Sequence, residues 1–469
     1  MDFSNRVGGV LAQCRDAFPV ESSYSCGHDS FLTGSEVDSP CPETLDLKMP
    51  QLTIQRCVLL FSLLLVPSQL FAQSEWSRWR GPEGDGTAST LQAPVSWSDS
   101  ENVIWKSKIS GRGHASPIVL GGQIFLATAN SQAKTHSVVC LKASNGKQVW
   151  ETDVHQGGGF GRVHPKNTHA SSTIATDGEL IFAVFSFDDA VHVTALDTAG
   201  DKVWTKKVGD YRPKYAFGYG ATPIVHQGTV IVVNDGNVGA AIVAYDTKTG
   251  DQVWNADRSG VSSYSTPVVA EIGGKSQLLL SGGKSVSSYN PSNGNRLWSV
   301  PASWDVTCGT MVWDESSNMV FASGGYPSNQ TLAINAKTGK KVWDNPAKVY
   351  EQSMLVHQGY LFAHADNGVL YCWRCKDGKE MWKQRFGERR VAISASPVLA
   401  NGNIYFTAEN GETAVVKATH KGYEEVARNR LGDETFASMA FVGGRIYTRI
   451  SNGDVRSRQE WLYCLGEKK

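Results

Sequence analysis

The sequence carries no excess charge of either sign: 45 Lys and Arg stand against 45 Asp and Glu in 469 residues. Without a global basic field, bulk electrostatic binding to nucleic acid is excluded. Long apolar runs are missing too. The strongest, Cys57 to Val66, has ten residues, where a membrane-spanning helix needs about 20, so no membrane span is expected. Extended helical periodicity is scarce. At 41% hydrophobic and 19% charged, the chain is not composed like a disordered one.

The one apolar run has a purpose of its own. Arg56 precedes it, and Gln69-Leu70-Phe71-Ala72 follows with a small residue at the exit. Basic flank, short apolar core and small-residue exit are the marks of a secretory leader, cut after Ala72. Met49 is then the working start, and residues 1–48 are a mis-assigned or disordered extension. No Cys follows the run to take a lipid anchor, so the mature chain is expected to be periplasmic or secreted. Past the cut stand Cys140, Cys308, Cys372, Cys375 and Cys464, an odd and sparse set that is not a disulfide framework.

What is abundant is Gly, with 47 residues, and Trp, with 14. Six of each fall in one repeat, a Gly four residues before a Trp, at Gly146/Trp150, Gly200/Trp204, Gly250/Trp254, Gly294/Trp298, Gly339/Trp343 and Gly378/Trp382. A seventh copy has Gly422, with Val426 in the Trp slot. A second marker runs in phase, a hydroxyl residue opening an apolar stretch: Ser116, Ser172, Thr222, Thr266, Thr310, Ser353, Ser396 and Ser438. The steps between them shorten from 56 to 42 residues, the period of a four-stranded propeller blade. Eight openings predict an all-β, eight-bladed β-propeller. The eighth unit ends at Tyr463-Cys464-Leu465 without a Trp strand, while Trp105 stands at the start with no unit before it. The N-terminal strand is therefore expected to complete the last blade and leave no open ring.

The Ala-x-Asp-x-x-Thr-Gly-x-x-x-Trp pattern, best preserved in AYDTKTGDQVW at Ala244 to Trp254, resembles the tryptophan-docking repeat of the pyrroloquinoline-quinone (PQQ)-like propellers in the quinoprotein alcohol dehydrogenase-like superfamily. The opening Trp76-Ser77-Arg78-Trp79-Arg80-Gly81-Pro82 is similar to secreted members of planctomycete type. The expected organisation is a segment over 73–100 packing on a propeller that fills 101–469. The resemblance implies two kinds of activity: PQQ- and calcium-dependent dehydrogenases, and noncatalytic relatives such as an outer-membrane-protein assembly factor. The chain lacks the vicinal Cys pair of the large alcohol dehydrogenases, and no local motif supplies calcium ligands. PQQ with calcium is thus left without specific ligand motifs, and the expectation is a noncatalytic, monomeric binding or scaffold propeller.

Three local features weigh on chemistry. Cys372-x-x-Cys375 looks like a redox motif, but Cys372 lies ten residues before Trp382, as Cys140 lies before Trp150, and Ala244, Ser288 and Ala333 fill that slot elsewhere. The slot calls for a small buried residue. Asp197, Asp246, Asn290 and Asn335 share one turn position, where such side chains bond their own backbone. The loops leading into the blades gather cations and aromatics: Arg112, His114, Arg162, His164, Lys166, His169, Tyr215, Tyr219, Tyr264, Arg389 and Arg390. A closed ring brings such loops to one mouth of its axial channel, so these residues are the expected site. Their guanidinium, ammonium and aromatic groups point to an anionic or carbohydrate-like ligand, or to a protein partner.

Overall fold

The computed structural model describes residues 75–90, 92–388, 390–453 and 457–467. The extension, the leader and Arg389 lie outside these residues. The described residues form eight antiparallel sheets and no helix. Blade 1 is representative: Ile118–Leu120, Gln123–Asn130, Thr135–Lys142 and Gln148–Gln156 run from the axis outwards. The two middle strands are buried on both faces because neighbouring blades cover them, and only the outermost strand shows alternating exposure. The last blade takes its outer strand from the N-terminus, as expected: Val103–Ile109 pairs with Gln459–Leu465, setting Trp105 opposite Cys464.

The hydroxyl markers form a collar around the axis. The backbone N–H of each donates to the hydroxyl of the next blade's marker: Ser116 to Thr173, Thr173 to Thr222, Thr222 to Thr266, Thr310 to Ser353, Ser353 to Ser396, Ser396 to Ser438, and Ser438 back to Ser116, at 2.8–3.0 Å. Blade 2 uses Thr173 where the repeat spacing suggested Ser172, whose hydroxyl instead reaches Ala221 O. At the remaining junction Thr310 Oγ1 receives the indole N–H of Trp79.

The Trp repeat links blades at the rim. Trp105, Trp150, Trp204, Trp254, Trp298, Trp343 and Trp382 each donate the indole N–H to a carbonyl of the next blade, at 2.7–3.1 Å. The slot ten residues earlier lies directly across the ladder, with Cys140, Cys372 and Ala244 facing Trp150, Trp382 and Trp254. Cys372 and Cys375 are buried free thiols. Burial pushes Cys372 up to about 12, which makes it an inert packing residue. Asp246 and Asn335 accept turn N–H groups as expected of Asx turns. In all eight blades the residue before the Trp slot is an unpaired β-bulge, Val253 between Gln252 and Trp254 for example. That register corrects the seventh copy: Val426 is the bulge, and Ala427, paired with Val415, fills the Trp slot.

The repeat Gly residues of the six Gly/Trp copies each lie against the Trp of the preceding blade, whereas Gly422 has open space around it. Gly250 has φ +69°, and a Cβ there would meet the Trp204 ring at 2.7 Å; Gly228 has φ +76° but open space around it. Gly228→Ala should therefore cost the about 1–2 kcal/mol of a left-handed L-residue. Gly250→Ala should cost clearly more, because the Trp204 ring must also move. Thermal melts of the two variants side by side check this.

Residues 76–88 cross one end of the channel. Trp76 exchanges backbone hydrogen bonds with Val119 of blade 1, Trp79 reaches Thr310 of blade 5, and Arg80 Nη2 donates to Met354 O of blade 6. Thr87–Ala88 then adds a fifth, parallel strand to Val398–Ala400 of blade 7. Blades 1 and 5 are opposite in a ring of eight, so this segment spans the axis as a plug.

Candidate functional site

Above the plug lies an axial well of about 280 Å³, with Trp79 at its base. Thr173, Thr222 and Thr266 of the collar line its waist. The wall follows one rule. The residue two before each collar hydroxyl lines the well in all eight blades: His114, Ser171, Gly220, Tyr264, Cys308, Glu351, Ser394 and Phe436. The collar fixes the backbone at each blade's start, and the side chain two residues upstream points into the same space. Lys166, Asn167, His164, Phe217 and Tyr350 complete the lining.

The charge of the well is set by one cluster. Lys166 Nζ lies 2.9 Å from Glu351 and 2.6 Å from Glu409, and Ser394 Oγ is 2.6 Å from both carboxylates. One ammonium thus serves two carboxylates. Burial alone would lower the pKa of Lys166, but Glu351 and Glu409 together outweigh it and the pKa is raised. Glu409 is raised by burial, against the pull of Lys166 and Ser394. His114 stacks on Phe436, with ring centroids 3.9 Å apart. Burial first, then Arg112, Arg449, Arg458 and Lys166, hold its pKa well below the usual range, so it is a neutral imidazole. Cys308 is pushed up by burial and then by Glu351, which leaves it a thiol rather than a nucleophile. Among the described residues, no three His, Cys, Asp or Glu side chains are grouped so as to hold a metal ion.

Of the residues singled out in the sequence, His114, His164, Lys166 and Tyr264 meet in the well. Tyr215 stands behind it, stacked on Phe217 and accepting the Tyr264 hydroxyl at its carbonyl. Arg162, His169 and Tyr219 line a separate groove between blades 2 and 3. Tyr219 is buried and its hydroxyl is committed to Val233 O, which makes it scaffold. Arg390 lies in a third groove and donates to Asp366 O. Arg112 sits near Arg458, Glu460 and Glu434 at the junction of blades 8 and 1. The ten of these residues that the structure describes are therefore not one cradle. Sequence reasoning missed Glu409, Ser394, Trp79 and Phe217. Counting back two from each hydroxyl marker would have found Ser394.

A family model described as outer membrane protein assembly factor BamB matches residues 88–214 and 134–384. An outer membrane protein assembly factor BamB of Burkholderia pseudomallei is 23% identical over 367 residues, covering 73% of this chain and 86% of that protein. Quinoprotein alcohol dehydrogenase PedH of Pseudomonas putida is 27% identical over 183 residues, 36% of this chain and 29% of that protein. A solved europium-containing methanol dehydrogenase shares the fold with a TM-score of 0.61 at 12% identity, covering 84% of this chain and 98% of that one. BamB from Moraxella catarrhalis does so with a TM-score of 0.55 at 14% identity, covering 77% and 99%. With eight blades built on one repeat and a family model spanning most of the ring, the chain belongs to the PQQ-like β-propeller family that includes BamB.

Proposed function

We propose that this protein is an exported, noncatalytic binding propeller whose axial well takes a neutral, carbohydrate-like ligand. The observation that carries the reading is the Lys166–Glu351–Glu409 cluster. The expected anionic ligand would need cations free to meet it, but the well's one Lys is already shared by two carboxylates. That group carries a net negative charge and would repel an anion. Carboxylates and collar hydroxyls accept and donate hydrogen bonds to a polyol. Phe217, Tyr264, Phe436 and Trp79 offer apolar ring faces on which the C–H faces of a sugar stack.

The same charge argues against PQQ in the well. PQQ is a tricarboxylate and would face this negative cluster, and no three His, Cys, Asp or Glu side chains among the described residues are grouped to hold a metal ion beside it. No step through a quinone is therefore derived. A second reading has support from the relatives: BamB proteins are named as assembly factors, which favours a protein partner and an exported location. A protein loop presenting hydroxyl and apolar groups could use the same well.

The test is a calorimetric titration with a panel of neutral oligosaccharides, followed by the same titration with PQQ and Ca²⁺. Phe217→Ala and Phe436→Ala should each weaken binding of the best neutral ligand about fivefold, since an aromatic contact is worth ~1 kcal/mol. Salt should change the affinity little. Stoichiometric quinone uptake with dye-linked alcohol oxidation would overturn the reading.

A further inference from the structure

Most basic side chains around the mouth are already engaged. Lys166, Lys214, Lys348, Arg258, Arg449 and Arg458 each pair with a carboxylate. Arg162 and Arg212 are different. They come from the loops leading into blades 2 and 3, both are exposed, and neither makes an ion pair among the described residues. Both line the same groove of about 480 Å³. Asp210 lies near enough to Arg212 to feel its charge, but its carboxylate is bound to Lys207 at 2.6 Å. Asp189 also lines the groove, where its carbonyl accepts the Tyr211 N–H.

The groove is built on a fixed floor. Tyr211 and Tyr219 pack edge to face at 5.5 Å, and their hydroxyls donate to Gly218 O and Val233 O. The backbone under Arg212 is bridged to Asn237. His169 in the wall is lowered by burial and stays neutral, so the charge of the lining is two guanidiniums against one carboxylate. The wall between groove and well is shared: Ala216 and Gly218 face the groove while Phe217 faces the well.

We infer that this groove is a second binding site, selective for an oxyanion that both Arg162 and Arg212 engage. A guanidinium presents paired donors that match a carboxylate, sulfate or phosphate in bidentate fashion. Two of them in one groove, neither in an ion pair among the described residues and with Asp189 as the one carboxylate of the lining, form an anion receptor. The site is independent of what the well binds. It also relocates the anionic chemistry legible in the loops to the groove between blades 2 and 3.

The experiment is titration of the purified protein at constant ionic strength, held with chloride, using succinate and sulfate as separate probes. Saturable binding of one probe identifies the receptor as a carboxylate or a tetrahedral-oxyanion site. Arg162→Gln/Arg212→Gln should weaken that binding at least tenfold, and Arg162→Lys/Arg212→Lys should recover only part of it, because charge returns without the bidentate fork. Both side chains are exposed, so melting temperatures should match the parent, and neutral-ligand binding in the well should not change. Absence of saturable binding by either probe, or equal affinity in the parent and the Gln variant, overturns the inference. A Lys variant with full affinity overturns the bidentate geometry.

Discussion

Lowering the pH from 7.5 to 5 should cost this protein about 4 kcal/mol through two histidines that line neither the well nor the groove. His136 and His364 are buried in blades 1 and 6, and neither imidazole nitrogen of either has a hydrogen-bond partner. Burial, helped by His155 and His169, lowers His136 to about 3. Burial and then Arg428 lower His364 to about 3. In the unfolded chain both titrate near ~6.5. Above that pH both states are neutral and the groups contribute nothing. As the pH falls below it, the unfolded chain binds protons that the native state refuses, so stability declines towards the folded value near 3. At pH 5 the loss is about 2 kcal/mol for each group. His155, lowered to about 4 by burial and then His192, acts in the same direction. Calorimetric melts at pH 7.5, 6 and 5 should show the decline. Because His136 stacks on Phe160 and His364 on Phe386, a His136→Phe/His364→Phe variant keeps an aromatic ring in each place. It should lose about 4 kcal/mol less than the parent between pH 7.5 and 5, with His155 and the buried His114 still contributing a decline. An unchanged pH slope in that variant would exclude these two groups as the cause.

The ring was legible in the sequence because it is periodic. Gly, Trp and hydroxyl markers recur with the blade, and the unmatched Trp105 at one end and the missing Trp strand at the other fixed how the circle closes. Where periodicity was slightly wrong, the cause is local. Ser172 and Thr173 are adjacent hydroxyls, and only the collar hydrogen bonds distinguish them. Val426 looks like a Trp substitute because the hairpin of blade 7 is longer: Ala427 pairs with Val415 twelve residues back, where Trp150 pairs with Cys140 only ten back.

The site was legible only in part, for a different reason. Its cations stand close together in sequence, but the acids that neutralise them do not. Glu351 lies 185 residues from Lys166, and they meet only because blades 2 and 6 face one channel. No local motif records that meeting, so a loop rich in Lys, Arg and His reads as an anion cradle until its partners are placed. Arg162 and Arg212 keep that character because neither is tied up in an ion pair among the described residues, although Asp189 shares their groove. The plug was hidden likewise: Trp79 belongs to no repeat, and its bond to Thr310 spans 231 residues.

The largest single-residue loss should come from Arg258→Met. Arg258 and Asp235 are 3% and 2% exposed, and they form a bidentate pair, Nε to Oδ1 at 2.7 Å and Nη2 to Oδ2 at 2.8 Å. Nη1 donates to Tyr289 Oη of blade 4 at 3.0 Å, so the guanidinium ties blade 3 to blade 4. Met fills a similar volume but leaves Asp235 charged, buried and without its counter-ion. Breaking a buried pair from one side costs about 3–5 kcal/mol. Replacing both partners should cost less, because the desolvation penalty of the orphaned carboxylate disappears with it. Asp235→Leu/Arg258→Met should accordingly be more stable than Arg258→Met alone, with a coupling of roughly 1–3 kcal/mol across the double-mutant cycle. Chemical denaturation of the parent, both single variants and the double variant measures it. The effect should also reach the well. The segment after Arg258 carries Ser262, whose hydroxyl accepts the Lys214 N–H, and Tyr264, which forms part of the wall. Loosening the clamp frees both, so Arg258→Met should weaken ligand binding at temperatures where the ring is still folded. A single variant within 1 kcal/mol of the parent would mean that water reaches Asp235 once the guanidinium is gone, and that the collar bond of Thr222 to Thr266, the Trp254 indole and the apolar contacts hold the blade 3–4 junction without the clamp.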